Sequence, residues 1–315
     1  MCVLEELLAR GERWFPEGST FREDMPKLWG DWGVDSEVGK LRAVLMRRPG
    51  EEIEKLSSPE PYRWKALMDP ELARAQQDAL AKVYRDHGVE VYYAKEAALD
   101  KPNSLYLRDI VFMTPEGAIL GRPAMTARRG EERWAAKALS ELGVPIVRTI
   151  NGDGIFEGAC CLWVDSKTAI LGTGVRCNAS GAAQVEYELR NMGVENIIKF
   201  QIPYGHAHVD GLMNMADRKK AVVFPWQVPY DVVAALKELD FQIIEAQSVL
   251  EVKQSFGVNF VALEPGVVVM PAGNQRTQAA MEEAGIKVIT VDVSEIMKGW
   301  GAIHCMTAFL RRDPI

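Results

Sequence analysis

Ile110-Val111-Phe112-Met113-Thr114-Pro115-Glu116-Gly117-Ala118-Ile119-Leu120-Gly121 decides the fold of this chain. Two apolar runs of strand length flank Thr-Pro-Glu-Gly, a turn in which proline presets one φ and glycine frees another. A polar segment of helical length follows over 131–142, and then a strand led by glycine, Gly143-Val144-Pro145-Ile146-Val147. The order is strand, turn, strand, helix, strand.

That order recurs. Cys161-Leu162-Trp163-Val164, Asp165-Ser166-Lys167 and Thr168-Ala169-Ile170-Leu171 lead to a helix over 182–191, and Gly193-Val194 leads to Ile197-Ile198. A third copy takes 211–216, 220–224, a helix over 230–239 and 241–244. A fourth takes 260–263, Glu264-Pro265-Gly266, 267–270, a helix over 277–283 and Gly285-Ile286-Lys287-Val288-Ile289. An opening copy starts at 41–46 and closes with a helix over 72–86 and Gly88-Val89-Glu90-Val91-Tyr92. Units of roughly 45–55 residues leave an apolar face uncovered singly, so neighbours must stack. Five small sheets can close into a ring without exposed edges, which predicts an α/β propeller with a central cleft. The repeats assign 41–315 to one catalytic domain. Residues 1–40, with Leu4, Leu7, Leu8 and Trp14 at helical spacing, are expected as a helical leader packed on its outside.

Composition narrows the function. No apolar run reaches the roughly 18 residues of a membrane span, and the acidic start is unlike a signal peptide. Five cysteines, two of them adjacent, make a poor disulfide framework and point to the reducing cytoplasm. A net charge of -7 with interspersed signs argues against a nucleic-acid surface. The sequence leaves the oligomeric state open, a homo-oligomer included.

The polar signals gather at the joints between copies. Pro102-Asn103-Ser104-Leu105-Tyr106-Leu107-Arg108-Asp109 precedes one strand pair, Phe156-Glu157-Gly158-Ala159 the next, and His206-Ala207-His208-Val209-Asp210 the one after. Gly301-Ala302-Ile303-His304-Cys305 follows the last. Equivalent joints of a ring meet at its centre, so these segments should share one pocket.

Pro-Asn-x-x-Tyr-x-Arg-Asp (102–109), Ala-Arg-Arg (127–129), Glu-Gly (157–158), Gly-x-Gly-x-Arg (172–176), His-x-Asp (208–210), Asn-Phe-Val-Ala-Leu-Glu-Pro-Gly (259–266) and His-Cys-Met-Thr (304–307) occur in that order. Together they resemble the arginine deiminase branch of the guanidino-group-modifying enzymes, whose five-bladed α/β propeller is called the pentein fold. The resemblance runs from about residue 38 to the end. It implies Cys305 as nucleophile, His208 as acid and base, Glu157 as its partner, and Asp109 and Asp210 as holders of the substrate guanidinium. It further implies Asn103, Arg128 and Arg176 at the far end of the substrate, with neither metal nor organic cofactor. The chemistry is coherent. A planar guanidinium offers paired donors to two carboxylates, which aim its carbon at sulfur. Two departures stand out. The family pattern Glu-Gly-Gly-Asp reads Glu157-Gly158-Ala159-Cys160 here, and Trp300 occupies a place commonly basic in arginine deiminases.

Rival readings remain. An amidinotransferase would pass the same Cys-bound group to an amine, and a dimethylarginine hydrolase would release an alkylamine. His206-x-His208-x-Asp210 on a strand would face one side and, with Glu157 or Asp109, hold zinc for a metal-dependent hydrolase. A non-enzymatic propeller, such as a ribosome anti-association factor, would not need this set of groups.

Overall fold

The computed structural model describes residues 18–95 and 97–315. Leu4, Leu7, Leu8 and Trp14 of the expected leader lie outside the described residues. Within residues 18–40, a helix spans Phe21–Leu28, opened by a Thr20 and Glu23 capping box that satisfies its first free N–H groups. Val34, Ser36, Glu37 and Val38 are then buried. That segment enters the core rather than lying on it.

The described strands form five three-stranded sheets. Four sheets repeat one plan. They hold β3 (Val111–Thr114), β4 (Gly117–Leu120) and β5 (Ile146–Thr149); then β6 (Cys161–Asp165), β7 (Thr168–Thr173) and β8 (Asn196–Gln201). The next two hold β9 (Met213–Asp217), β10 (Lys220–Val223) and β11 (Gln242–Glu245), and β12 (Val261–Glu264), β13 (Val267–Pro271) and β14 (Lys287–Val291). In each, the first two strands form an antiparallel hairpin and the third returns parallel. A parallel return needs a crossover, and helices Glu131–Glu141, Ala179–Asn191, Tyr230–Glu238 and Gln275–Glu283 supply it.

The opening sheet departs from the plan read in the sequence. β1 (Leu41–Met46) pairs parallel with β2 (Glu90–Tyr93) across helix Pro70–Asp86, but its antiparallel partner is β15 (Ala308–Arg312) from the C-terminal end. The last strand therefore completes the first sheet. β15 packs on β3, β9 on β12, and β12 on β1, while turns Gly158–Cys160 and Val209–Gly211 link the sheets between. The five sheets thus contact one another cyclically.

This cycle positions the site. Short turns or a helical turn end at the entry of the innermost strand of four sheets: Leu107–Asp109 before β3, Gly158–Cys160 before β6, Val209–Gly211 before β9 and Ile303–Met306 before β15. Residues 206–208 are irregular rather than extended in a strand, so the alternation that would align His206, His208 and Asp210 on one face does not operate. Among the described residues, no helix is long and apolar enough to cross a membrane.

Candidate active site

A cavity of about 390 Å³ opens where the turns converge, and Asn103, Asp109, Arg128, Arg176, His208, Asp210, Trp300 and Cys305 all lie on its wall. That volume suits a small molecule. Glu157 sits just behind, fully buried, and reaches the wall through His208. The joints read in the sequence meet here.

Cys305 is buried, in the short helix Ile303–Met306. The helix is reached through Gly299-Trp300-Gly301, and a Cβ at either glycine would strike the Tyr106 ring. The Cys305 Sγ lies 3.6 Å from Asp210 Oδ2. Burial, followed by the Asp210 and Asp109 carboxylates, raises its thiol well above the ordinary value of 9.0. In the free site burial and the two carboxylates therefore favour the thiol form.

His208 is shifted toward its charged form. Its Nε2 is 2.6 Å from Glu157 Oε2 and its Nδ1 is 3.7 Å from Asp109 Oδ1. Burial disfavours the imidazolium, but Asp109, Glu157 and Asp210 outweigh burial and raise the group above 6.5. Glu157 is itself pinned: Arg176 Nη1 donates to Oε1 at 2.9 Å and the Ala124 N–H at 3.0 Å. Against its burial, His208, Arg176 and Arg128 hold Glu157 ionised far below the usual carboxylate range. Glu157 is thus held by a guanidinium and a backbone donor, while Cys160 is buried beside it with its Sγ toward the Ala207 carbonyl.

Arg128 lies on the pocket wall with its guanidinium engaged by the protein's own acids. It is only 4% exposed, its Nε and Nη2 donate to Glu131, and its Nη1 donates to Asp109 Oδ2. Its Nη2 also meets the carbonyls of Asn103 and Tyr106. The fork expected to clamp a substrate carboxylate faces the protein's own acids, so Arg128 positions Asp109. Asn103 is likewise engaged, accepting from Trp64 Nε1 at 2.5 Å. Arg176 keeps a partly exposed edge at the mouth.

The zinc alternative changes form. Among the described residues, the ligand atoms that approach within 4.8 Å of one another belong to Asp109, Glu157 and His208, not to the His206-x-His208 pair. His206 Nε2 instead meets Lys253 Nζ at 2.7 Å, and burial followed by that lysine lowers its pKa to about 4. Arg128 on Asp109 and Arg176 on Glu157 already supply positive charge to both carboxylates. The set fits a shuttled proton better than a metal ion.

Asp109 Oδ1 is buried and, among the described residues, accepts no hydrogen bond. A buried carboxylate oxygen without a donor is costly, and here it belongs to a pocket wall. Trp300, 56% exposed, takes the left-handed φ of 64°. The Lys65 ammonium lies 4.1 Å from its ring centre and 5.1 Å from that of Phe256. Arg63, Phe256 and Trp300 all line the pocket with positive φ, so backbone strain collects at the mouth.

Several residues escaped the sequence reading. Glu37 accepts from Arg108 Nη2 at 2.9 Å and lies 3.4 Å from His304 Nε2, while His304 Nδ1 is 2.8 Å from Asp210 Oδ2. Burial opposes ionisation of Glu37, yet Arg108 and His304 depress its pKa to about 2. Nothing local in 34–38 signals this. Arg63 and Lys65 come from the segment between β1 and helix Pro70–Asp86, inside the opening repeat. Asn259 precedes β12 as Asp210 precedes β9, so the repeat itself was the signal for it.

Residues 62–312 match the family model described as N,N dimethylarginine dimethylhydrolase, eukaryotic. The arginine deiminase of Latilactobacillus sakei subsp. sakei is 23% identical, covering 90% of this chain and 98% of that protein. Among solved structures, the N-terminal domain of a cyanobacterial arginine dihydrolase superposes with a TM-score of 0.74 at 18% identity, covering 87% of this chain and 98% of that one. An amidinotransferase from Microseira wollei gives 0.72 at 17% identity, covering 90% and 98%. Both structural likenesses carry the pentein-type fold.

Proposed function

This chain belongs to the N,N dimethylarginine dimethylhydrolase family within the guanidino-modifying pentein enzymes, and from that premise we propose that it hydrolyses the guanidino group of an arginine-type amino acid through a Cys305 amidino thioether. One observation carries the proposal: Asp109 Oδ1, buried without a donor, shares its pocket with Asp210 and the Cys305 sulfur. A guanidinium N–H satisfies that oxygen, and the cation lowers the cost of a thiolate beside two carboxylates.

The chemistry balances. The Cys305 proton passes to solvent as the cation binds, and the thiolate adds to the guanidinium carbon. His208, as imidazolium, gives its proton to one amino group, the C–N bond breaks and ammonia leaves. The neutral imidazole then takes a proton from water, whose oxygen adds to the same carbon. The C–S bond breaks, returning the thiolate and a ureido product, and the product's extra proton goes to ammonia. Glu157 holds His208 in position and favours its charged form.

Charge at the mouth supports a carboxylate-bearing substrate, because Arg63, Arg176 and Lys253 line it above an acidic floor. N-methylated arginine is the second reading, favoured by the family match and by the apolar face of Trp300. A panel of arginine, methylarginines, agmatine and guanidino acids, with products read by mass, decides. A ureido product with ammonia supports the first reading, and release of an alkylamine from a methylarginine supports the second. Formation of a new guanidine only when an amine is added would replace both with amidino transfer. Turnover of none would overturn the proposal.

A further inference from the structure

Four of the five innermost strands receive an acid or the cysteine at their entry: Asp109 before β3, Glu157 before β6, Asp210 before β9 and Cys305 before β15. The fifth entry, before β12, carries Asn259. We propose that Asn259 is a catalytic residue, whose side-chain amide donates to the Cys305 sulfur and holds the thiolate both when it attacks and when it leaves. The inference rests on Cys305 as the nucleophile and identifies the group that carries its charge.

The amide is 1% exposed and uses both ends. Its Nδ2 donates to Asp210 Oδ2 at 2.9 Å and to Cys305 Sγ at 3.3 Å. Its Oδ1 accepts from the backbone N–H of His304 at 3.0 Å and of Cys305 at 3.4 Å. Reversing the amide would set oxygen against the Asp210 carboxylate and an NH2 against two backbone donors. Those contacts fix the orientation of the amide, which sets Nδ2 at 3.3 Å from the sulfur as its donor, with Oδ1 at 3.5 Å where the thiol form can donate to it.

The surroundings explain why an amide is needed. Asp210, Asp109 and the Tyr106 hydroxyl are the titratable groups acting on the sulfur, with His208 on the same pocket wall and His304 next in the chain. Asn259 Nδ2 and the Ala302 backbone act the other way, as donors that favour the thiolate. A charge-assisted N–H bond strengthens as the sulfur ionises, while the contact with Asp210 turns repulsive. Asp at position 259 would have nearly the same shape and still accept both backbone N–H groups. It would lose the donor and place a further anion on the sulfur.

The test is the pH dependence of Cys305 alkylation by iodoacetamide, mapped by mass, in the full chain without substrate. Folded Asn259→Asp and Asn259→Ala should move the midpoint to higher pH. Below that midpoint, alkylation should slow by at least about threefold, the net loss per unit rise in thiol pKa after the gain in nucleophilicity. An unchanged midpoint in either folded variant overturns the inference. A second measurement needs no substitution at 259. The Asn259 side-chain amide resonances of the native protein should shift with the alkylation midpoint, and stay flat in Cys305→Ser. Resonances that ignore the titration in native protein also overturn it. Failure of the guanidino reading would look different: normal alkylation behaviour with no guanidine turned over.

Discussion

The Cys305 sulfur and the Asp210 carboxylate stand 3.6 Å apart, a nucleophile held against an anion. As a thiol, Cys305 can donate to that oxygen. As a thiolate, it is repelled by it. A bound guanidinium lies between these two situations, because it neutralises the carboxylate and favours the ionised sulfur.

The free protein should accordingly show little thiolate absorbance in the ultraviolet at about pH 7. Arginine added to a His208→Ala variant, which lacks the acid needed to expel ammonia, should raise it. Full thiolate absorbance before any cation is added would contradict the account.

Cys305→Ser should remove turnover and leave thermal stability near that of the parent, since the two side chains differ by one atom. Asp210→Asn keeps the shape but unpairs the guanidinium, and loss of one partner of a buried charge pair costs about 2–5 kcal/mol. Its kcat/KM should drop at least about thirtyfold. Parental kinetics in either variant would remove that residue from the chemistry.

Glu157→Gln keeps the side-chain shape and deletes a charge that holds His208 protonated. The His208 pKa is raised in the parent, so its acid form persists above 6.5. Without Glu157 that form is lost at lower pH. The alkaline limb of kcat should therefore move toward acid, and a limb that stays in place separates Glu157 from the proton transfer.

Glu37→Gln leaves Arg108, 1% exposed, without its carboxylate. Breaking a buried pair by removing one partner costs about 3–5 kcal/mol. The sign follows from its depressed pKa: Glu37 stabilises the fold above its unfolded value of 4.5, and that contribution is lost as pH falls through about 2. Urea unfolding of parent and variant should differ most near neutrality and converge in acid. A constant difference would assign the effect to packing.

Lys65 restores a positive charge beside Trp300, the position where a basic residue was expected. Lys65→Met should raise KM for carboxylate-bearing guanidines more than for agmatine, whose tail is cationic. Equal changes for both would limit Lys65 to holding the loop.

The chain's repeats were legible because each unit is local. Alternating apolar runs, a glycine turn and an amphipathic helix are set within some fifty residues of one another. The joints were legible for the same reason, and they supplied Asp109, His208, Asp210 and Cys305 to one pocket, with Glu157 behind its wall. What the sequence could not determine was which buried charges pair. Arg128 and Arg176 read as arginines facing a substrate, and only the fold shows that each also engages acids of its own repeat, Asp109 and Glu131 for one and Glu157 for the other. Glu37 reached His304, and β15 completed the opening sheet, through contacts spanning nearly the whole chain, and Glu37 also met Arg108 71 residues away. Hydrophobic periodicity records which face of an element is buried. It carries no record of which buried charge will meet which, because that depends on distances fixed only when the sheets close into a cycle.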